Sequence, residues 1–316
     1  MITPKIPLLK DGQILSVDVV NSIIKRTEYA GDLLKQYKLI AGNEMYVEPH
    51  YDGTRVSYLQ PVGGGGTPKP VTPSFRIVGT YGIPGDFRSF VYNGSTFTDI
   101  IVPGSSQTVA FGIDGLNIVG YYIPTGSSLR RGFLYNGSTF TDIVVPGASQ
   151  TLALGIEGLN IVGNCTLGGF LYDGSTFTTF SVPIATTTDA YGISGSNIVG
   201  SAQRTGNPDF PKGFLYDGST FTDIVVPGAS QTFAFAIDGL NIVGQYRSGL
   251  LNTGFLYNGS TFTDIVYPGS TGTNARGIKG LNIVGNSSFG GFLYNGSTFT
   301  DIIVPGSTST QAYGIG

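Results

Sequence analysis

Few residues in this 316-residue chain carry the usual chemistry of catalysis. The only histidine, His50, has no Ser-His-Asp or Cys-His pattern around it. The only cysteine, Cys165, excludes an internal disulfide and reads as a small buried residue. No Cys/His cluster has zinc-site spacing, so neither a metal nor a cofactor is expected. Asp99, Asp142, Asp223, Asp264 and Asp301 recur once per repeat. That places them too far apart for the paired carboxylates of a glycosidase. Asn-Gly-Ser triplets at Asn93, Asn136, Asn258 and Asn295 match glycosylation sequons, but Asp173 and Asp217 stand at the same repeat position, which makes it a turn position. These residues predict a protein that is not an enzyme.

Binding chemistry is better represented. Two constant phrases alternate along the chain, Asn-Ile-Val-Gly and Gly-Phe-Leu-Tyr, and the segments leading from the first to the second differ freely: 80–88, 121–131, 164–168, 201–212, 245–253 and 286–290. Of nine Lys or Arg after residue 75, six lie there: Arg88, Arg130, Arg131, Arg204, Lys212 and Arg247. Tyr121, Tyr122 and Tyr246 sit among them, with Tyr81, Phe87 and Phe210. Guanidinium groups and aromatic rings suit anionic or planar sugars, through charge-assisted hydrogen bonds and stacking. Variable loops on a rigid scaffold are where binding resides; drift in unconstrained loops is the competing reading.

The elements that position these residues follow from the repeat. The stretch Gly254-Phe-Leu-Tyr-Asn-Gly-Ser-Thr-Phe-Thr-Asp-Ile-Val-Tyr-Pro-Gly269 has six versions, starting at Ser89, Gly132, Gly169, Gly213, Gly254 and Gly291. Their spacings of 43, 37, 44, 41 and 37 residues are those of propeller blades. Each repeat supplies four short strands. A small-residue run such as Thr151-Leu-Ala-Leu-Gly-Ile156 is strand A, nearest the axis. Asn-Ile-Val-Gly opens B, Gly-Phe-Leu-Tyr is C and Thr-Phe-Thr-Asp is D. Near-continuous apolar runs suit sheets buried on both faces, and the polar D strand suits an outer edge. Asn-Gly or Asp-Gly between C and D predicts a type I′ hairpin turn. The region opens with a B strand, Arg76-Ile-Val-Gly79, and ends with an A strand at Gln311–Ile315. The expected fold is therefore an all-β, six-bladed β-propeller of four-stranded blades over residues 76–316, closed by the C-terminal strand. With alternating strands, the B–C and D–A connections share a basic face. The tight turns share the other, with Asp114, Glu157, Asp173, Asp217 and Asp238.

The Gly ending strand B, the Tyr before the C–D turn and the early D-strand aromatic resemble the kelch class of propellers. Phe97, Phe140, Phe177, Phe221, Phe262 and Phe299 stand where kelch blades often carry Trp. The wording Gly-Phe-Leu-Tyr-Asp-Gly-Ser-Thr-Phe-Thr with Asn-Ile-Val-Gly is closer to bacterial HAF-type extracellular repeats. That resemblance implies a propeller and no particular activity. Asp-Gly-Ser-Thr-Phe is similar to the sialidase Asp-box, but its spacing is wrong and no arginine triad accompanies it.

Residues 1–62 differ in kind. Ser16 can cap a helix running to about Leu39, on which Val20, Ile23, Thr27, Ala30, Leu34 and Tyr37 form an a/d-like seam. The seam suits either packing within a small α+β domain or self-association into a homo-oligomer. Two runs, 44–48 and 54–58, flank Asp52-Gly53 as a hairpin. Residues 63–75, with Gly63-Gly-Gly-Gly66 and Thr-Pro-Lys-Pro-Val-Thr-Pro73, read as a linker. Val19-Val-Asn-Ser-Ile-Ile-Lys-Arg-Thr-Glu-Tyr-Ala30, Leu34, Tyr37 and Asp52-Gly-Thr54 resemble N-terminal attachment segments of bacteriophage fibre and other virion proteins. The resemblance implies anchoring to other virion proteins through Val20, Ile23, Leu34 and Tyr37. The first ten residues have no apolar core of a secretion signal, and no run approaches the ~18 apolar residues of a membrane span. A net charge of −3 argues against nucleic acid as partner. The expectation is a phage virion protein whose propeller binds a host surface glycan. The alternatives are a decoration protein that binds no receptor and a lectin-like propeller on a bacterial cell surface.

Overall fold

The computed structural model describes residues 45–50, 53–58, 75–83, 86–204 and 211–316. The first two segments are antiparallel strands, Met45–His50 and Gly53–Tyr58, paired from Met45↔Tyr58 to His50↔Gly53. This is the expected hairpin, and it belongs to a different compact unit from the repeats. The expected helix with Val20, Ile23, Leu34 and Tyr37, and the linker up to residue 74, lie outside the described residues.

The repeats form six four-stranded antiparallel sheets, each in the order A-B-C-D. In blade 3 these are Thr151–Glu157, Asn160–Cys165, Gly168–Tyr172 and Phe177–Phe180. Blade 1 takes its A strand from the C-terminus. Ser309–Ile315 pairs with Ile77–Ile83, with Gln311 opposite Thr80 and Ile315 opposite Ile77. Arg76 and Gly316 then exchange both backbone hydrogen bonds, at 2.9 and 3.0 Å. The A strands touch in succession, and the last meets that of blade 2, which closes the ring.

The core lies between blades. Each apolar cluster joins residues of two neighbours; one combines Val119 and Ile143 of blade 2 with Ile161 and Phe170 of blade 3. The phenylalanine at the second position of the Gly-Phe-Leu-Tyr phrase is buried in all six repeats, from Phe90 of Ser89-Phe-Val-Tyr92 to Phe292. Burying one such ring contributes roughly 1.5–3 kcal/mol. The glycine ending Asn-Ile-Val-Gly makes this possible. A Cβ on Gly163 would lie 1.9 Å from the Leu152 carbonyl oxygen and 2.9 Å from the Phe170 ring. Strands A and B therefore meet closely only over glycine.

The C–D turn departs from expectation. A type I′ turn needs positive φ at both central residues, yet Ile184 is the one non-glycine with positive φ among the described residues. The connection is instead a four-residue loop, Asn-Gly-Ser-Thr, held from inside. Oδ1 of Asn136 accepts hydrogen bonds from the amides of Ser138 and Thr139 at 3.0 and 2.9 Å. The Tyr135 hydroxyl donates to the Gly137 carbonyl at 2.8 Å, and its ring stacks on Phe140 at 4.5 Å. Asp173 and Asp217 make the same caps, with the threonine hydroxyl donating to the second carboxylate oxygen. An Asx side chain that satisfies two loop amides removes the need for a left-handed Asn.

Candidate functional site

The sequence-derived contact residues sit at the expected end of the ring, but mostly not in loops. Strands B and C extend beyond the common blade. Tyr121 and Tyr122 lie in strand Asn117–Pro124, Arg204 in Asn197–Arg204, and Tyr246 and Arg247 in Asn241–Ser248. Arg88, Arg131 and Lys212 lie in C strands. Only Arg130 of these nine is in a connection. The repeat phrases hid this, because hairpin arms of different length carry no constant residues.

The extensions also bring cations onto three of the five D-strand aspartates, Asp99, Asp142 and Asp223, while Asp264 and Asp301 accept tyrosine hydroxyls. Arg204 contacts Asp223 through both terminal nitrogens at 2.8 and 2.6 Å, and Lys212 lies 4.0 Å from the same carboxylate. Arg88 pairs with Asp86 and Asp99, and Arg131 approaches Asp142 at 3.6 Å. Hydrogen bonding to Asp223 raises the Arg204 pKa, and the Asp223 pKa is lowered in return. Tyr122 is a correction. Its ring is 8% exposed, packs in the blade core and donates its hydroxyl to Asp142, so it offers no stacking face. The Tyr246 hydroxyl is likewise committed to Asp264 at 3.1 Å. Blade 3 has Thr179 in place of the aspartate and carries no cation at these positions. The opposite face is structural too. Asp114, Glu157 and Asp238 each accept the turn amide of the next blade, from Gly158, Gly195 and Gly280.

Arg130 is different. It is exposed, makes no ion pair among the described residues, and stands 5.2 Å from the Tyr121 ring centroid. It lines a cleft of about 410 Å³ with Gln150, Asn164, Thr186, Thr187 and Asp189. Asn164 donates a short hydrogen bond to Asp189, whose pKa burial nevertheless raises.

Beneath this cleft is a feature that the sequence reading missed. Each A strand repeats Thr-x-Ala-x-(Gly/Ala)-Ile, and at the second x the pairing with strand B slips by one residue in all six blades. A β-bulge re-aims the extra side chain. The six bulged residues, Tyr313, Phe111, Leu154, Tyr191, Phe235 and Arg276, all line one axial cavity of about 270 Å³. Phe111 and Tyr313 are 5.0 Å apart, and the Arg276 guanidinium lies 4.0 Å from the Phe235 centroid. Desolvation lowers the Arg276 pKa and pushes that of Tyr191 up to about 12. The signal was present: these are variable positions inside an otherwise constant strand.

Neither a protein-family model nor a curated protein matches the sequence. Solved structures do. A chain of the nidogen/laminin complex aligns with a TM-score of 0.49 and 12% identity, over 76% of this chain and 97% of that one. The β-propeller domain of the trilobed protease from Pyrococcus furiosus aligns at 0.45 and 11%, over 74% and 97%. Pyrococcus horikoshii acylaminoacyl peptidase aligns at 0.41 and 13%, over 66% of this chain and 35% of that one. At these identities no residue role transfers, so the chemistry rests on the side chains of this chain.

Proposed function

We propose that the protein is a non-enzymatic, kelch-like or HAF-type propeller of a phage particle that binds a host surface glycan through the Arg130 cleft. Residues 1–62 serve as the anchor to other virion proteins, with Val20, Ile23, Leu34 and Tyr37 as the packing or self-association seam. The observation that carries the binding reading is the Arg130 cleft itself. It joins an exposed, unpaired guanidinium stacked on an aromatic ring to several polar side chains within one sugar-sized hollow. Of the other candidate residues, Arg247 retains an open role, its Nε bonded only to the Gly249 carbonyl at 3.1 Å. Repeat positions in strand B support the kelch-like assignment through the glycine that lets strand A approach.

The test is adsorption of the full-length protein to host cells and to purified surface glycan. Exposed charge contacts contribute about 0.2–1 kcal/mol each. Changing Arg130 and Arg247 together to Ser is therefore expected to weaken adsorption roughly 2- to 30-fold and to flatten its salt dependence. Arg131→Ser, which releases only a cation already paired with Asp142, is expected to change little. Full adsorption by the double variant favours the second reading, a decoration protein without a receptor. The neutralisation of Arg88, Arg131, Arg204 and Lys212 by rim aspartates is the observation on that side.

A further inference from the structure

The axial cavity holds one charged side chain, Arg276. No carboxylate pairs with it, and it makes no hydrogen bond among the described residues; its Nε is shielded from solvent without a partner. By surface area Arg276 is only half-buried, because its remaining surface lines the cavity. Three more polar atoms are shielded and unpartnered: Gln245 Oε1, Asn274 Oδ1 and Asn286 Oδ1. All four residues belong to blades 5 and 6, and all stand at the variable A-strand positions or directly after Asn-Ile-Val-Gly in strand B. The corresponding positions elsewhere are satisfied. Asn164 bonds Asp189, Ser201 bonds Tyr191, and Thr80 and Gln311 bond Tyr313.

Unpartnered buried polar groups are rare because each forfeits its hydration. Of the four residues only Arg276 lines the axial cavity, and among the described residues no anion stands opposite its guanidinium. We propose that the axial cavity beside Arg276 is a binding site for a small carboxylate of the sugar-acid class. A guanidinium without an anion calls for a carboxylate, which it holds through its fork. The rings of Phe235 and Tyr313, within 4.0 and 6.0 Å of the guanidinium carbon, supply faces for the C–H side of a sugar. A sulfate or phosphate meets the arginine and leaves the rings unused. A cavity of about 270 Å³ falls just below the usual range of ligand pockets, about 300–1,000 Å³, which suits one monosaccharide and excludes a polymer. The cavity adjoins the Arg130 cleft at Leu152 and Asn164, but Arg276 does not line that cleft, and the inference does not rest on the glycan reading.

Calorimetric titration of the full-length protein with glucuronate, glucose and sulfate tests this. Glucuronate is expected to bind, with glucose at least about tenfold weaker, since hydrogen bonds to a charged group account for about 10- to 100-fold in affinity. Sulfate, which meets the guanidinium but not the rings, is expected to bind several-fold more weakly than glucuronate. Arg276→Met is expected to lose glucuronate binding by the same factor. Should that variant not fold, Arg276→Lys keeps the charge but not the fork and is expected to bind several-fold more weakly. Arg130→Ser is expected to titrate like the wild type, which separates this site from the cleft above it. Absence of glucuronate binding to the wild type overturns the proposal, as does undiminished binding by either Arg276 variant.

Discussion

Asp173 and Asp217 occupy a turn position that Asn fills in the other four blades, and the exchange has a pH signature. Each carboxylate accepts first from the backbone amide of the threonine three residues on, then from its hydroxyl and from the neighbouring serine. These contacts favour the ionised form and hold both pKa values far below the usual carboxylate range. A depressed folded-state pKa contributes stability that is complete above the unfolded value, near 3.9, and is lost as pH falls toward the folded value. The double variant Asp173→Asn/Asp217→Asn keeps both turns but has nothing to titrate there. It is expected to match the wild type in urea unfolding at pH 7 and to lose less stability between about pH 5 and pH 2. Equal acid sensitivity of the two proteins would contradict this account of the caps.

Each D–A connection is tied to strand A by one buried threonine. The hydroxyls of Thr108, Thr151, Thr188, Thr232 and Thr310 accept the amides of Val102, Val145, Val182, Val226 and Val304, and Thr273 accepts that of Tyr267. For Thr151 the distance is 3.1 Å and the residue is 1% exposed. Thr151→Val keeps the shape and leaves the Val145 amide buried without an acceptor. A destabilisation of about 1–3 kcal/mol is expected by chemical denaturation. A change below about 0.3 kcal/mol would mean that water or a shifted loop replaces the hydroxyl.

At the scale of the ring, closure depends on one strand. Ser309–Ile315 completes blade 1, buries Ala312 and Ile315, and is the A strand that meets its neighbours on both sides. Deleting residues 309–316 removes those side chains and opens strand B of blade 1 along its length. Several kcal/mol of burial are lost, at roughly 2–4 °C per kcal/mol for a domain of this size. The melting temperature is expected to fall by about 10 °C or more. An unchanged value would show that the ring holds without this strand.

Periodicity alone was enough to determine the blades, their four strands, their order and the closing partner. Each is set by a local hydrophobic pattern repeated six times, and the join follows from a region that starts at B and ends at A. Glycine in Asn-Ile-Val-Gly was legible as a strand end, but its reason, a carbonyl 1.9 Å from any Cβ, lies in the neighbouring strand. Binding was harder to read, because a variable segment looks alike whether it is a loop or a hairpin arm. Only the tertiary structure showed that Arg204 and Arg131 reach aspartates on their own blades and that Tyr122 turns inward. It alone also assembled the axial sector. Asn274 and Arg276 are adjacent in the chain to residues that never vary, and nothing local distinguishes a side chain aimed at a neighbour from one that a bulge aims at the axis. Bringing Arg276 to Phe235 and Tyr313 across blades 5, 6 and 1 required the ring to close, since those contacts span tens of residues that no local pattern relates.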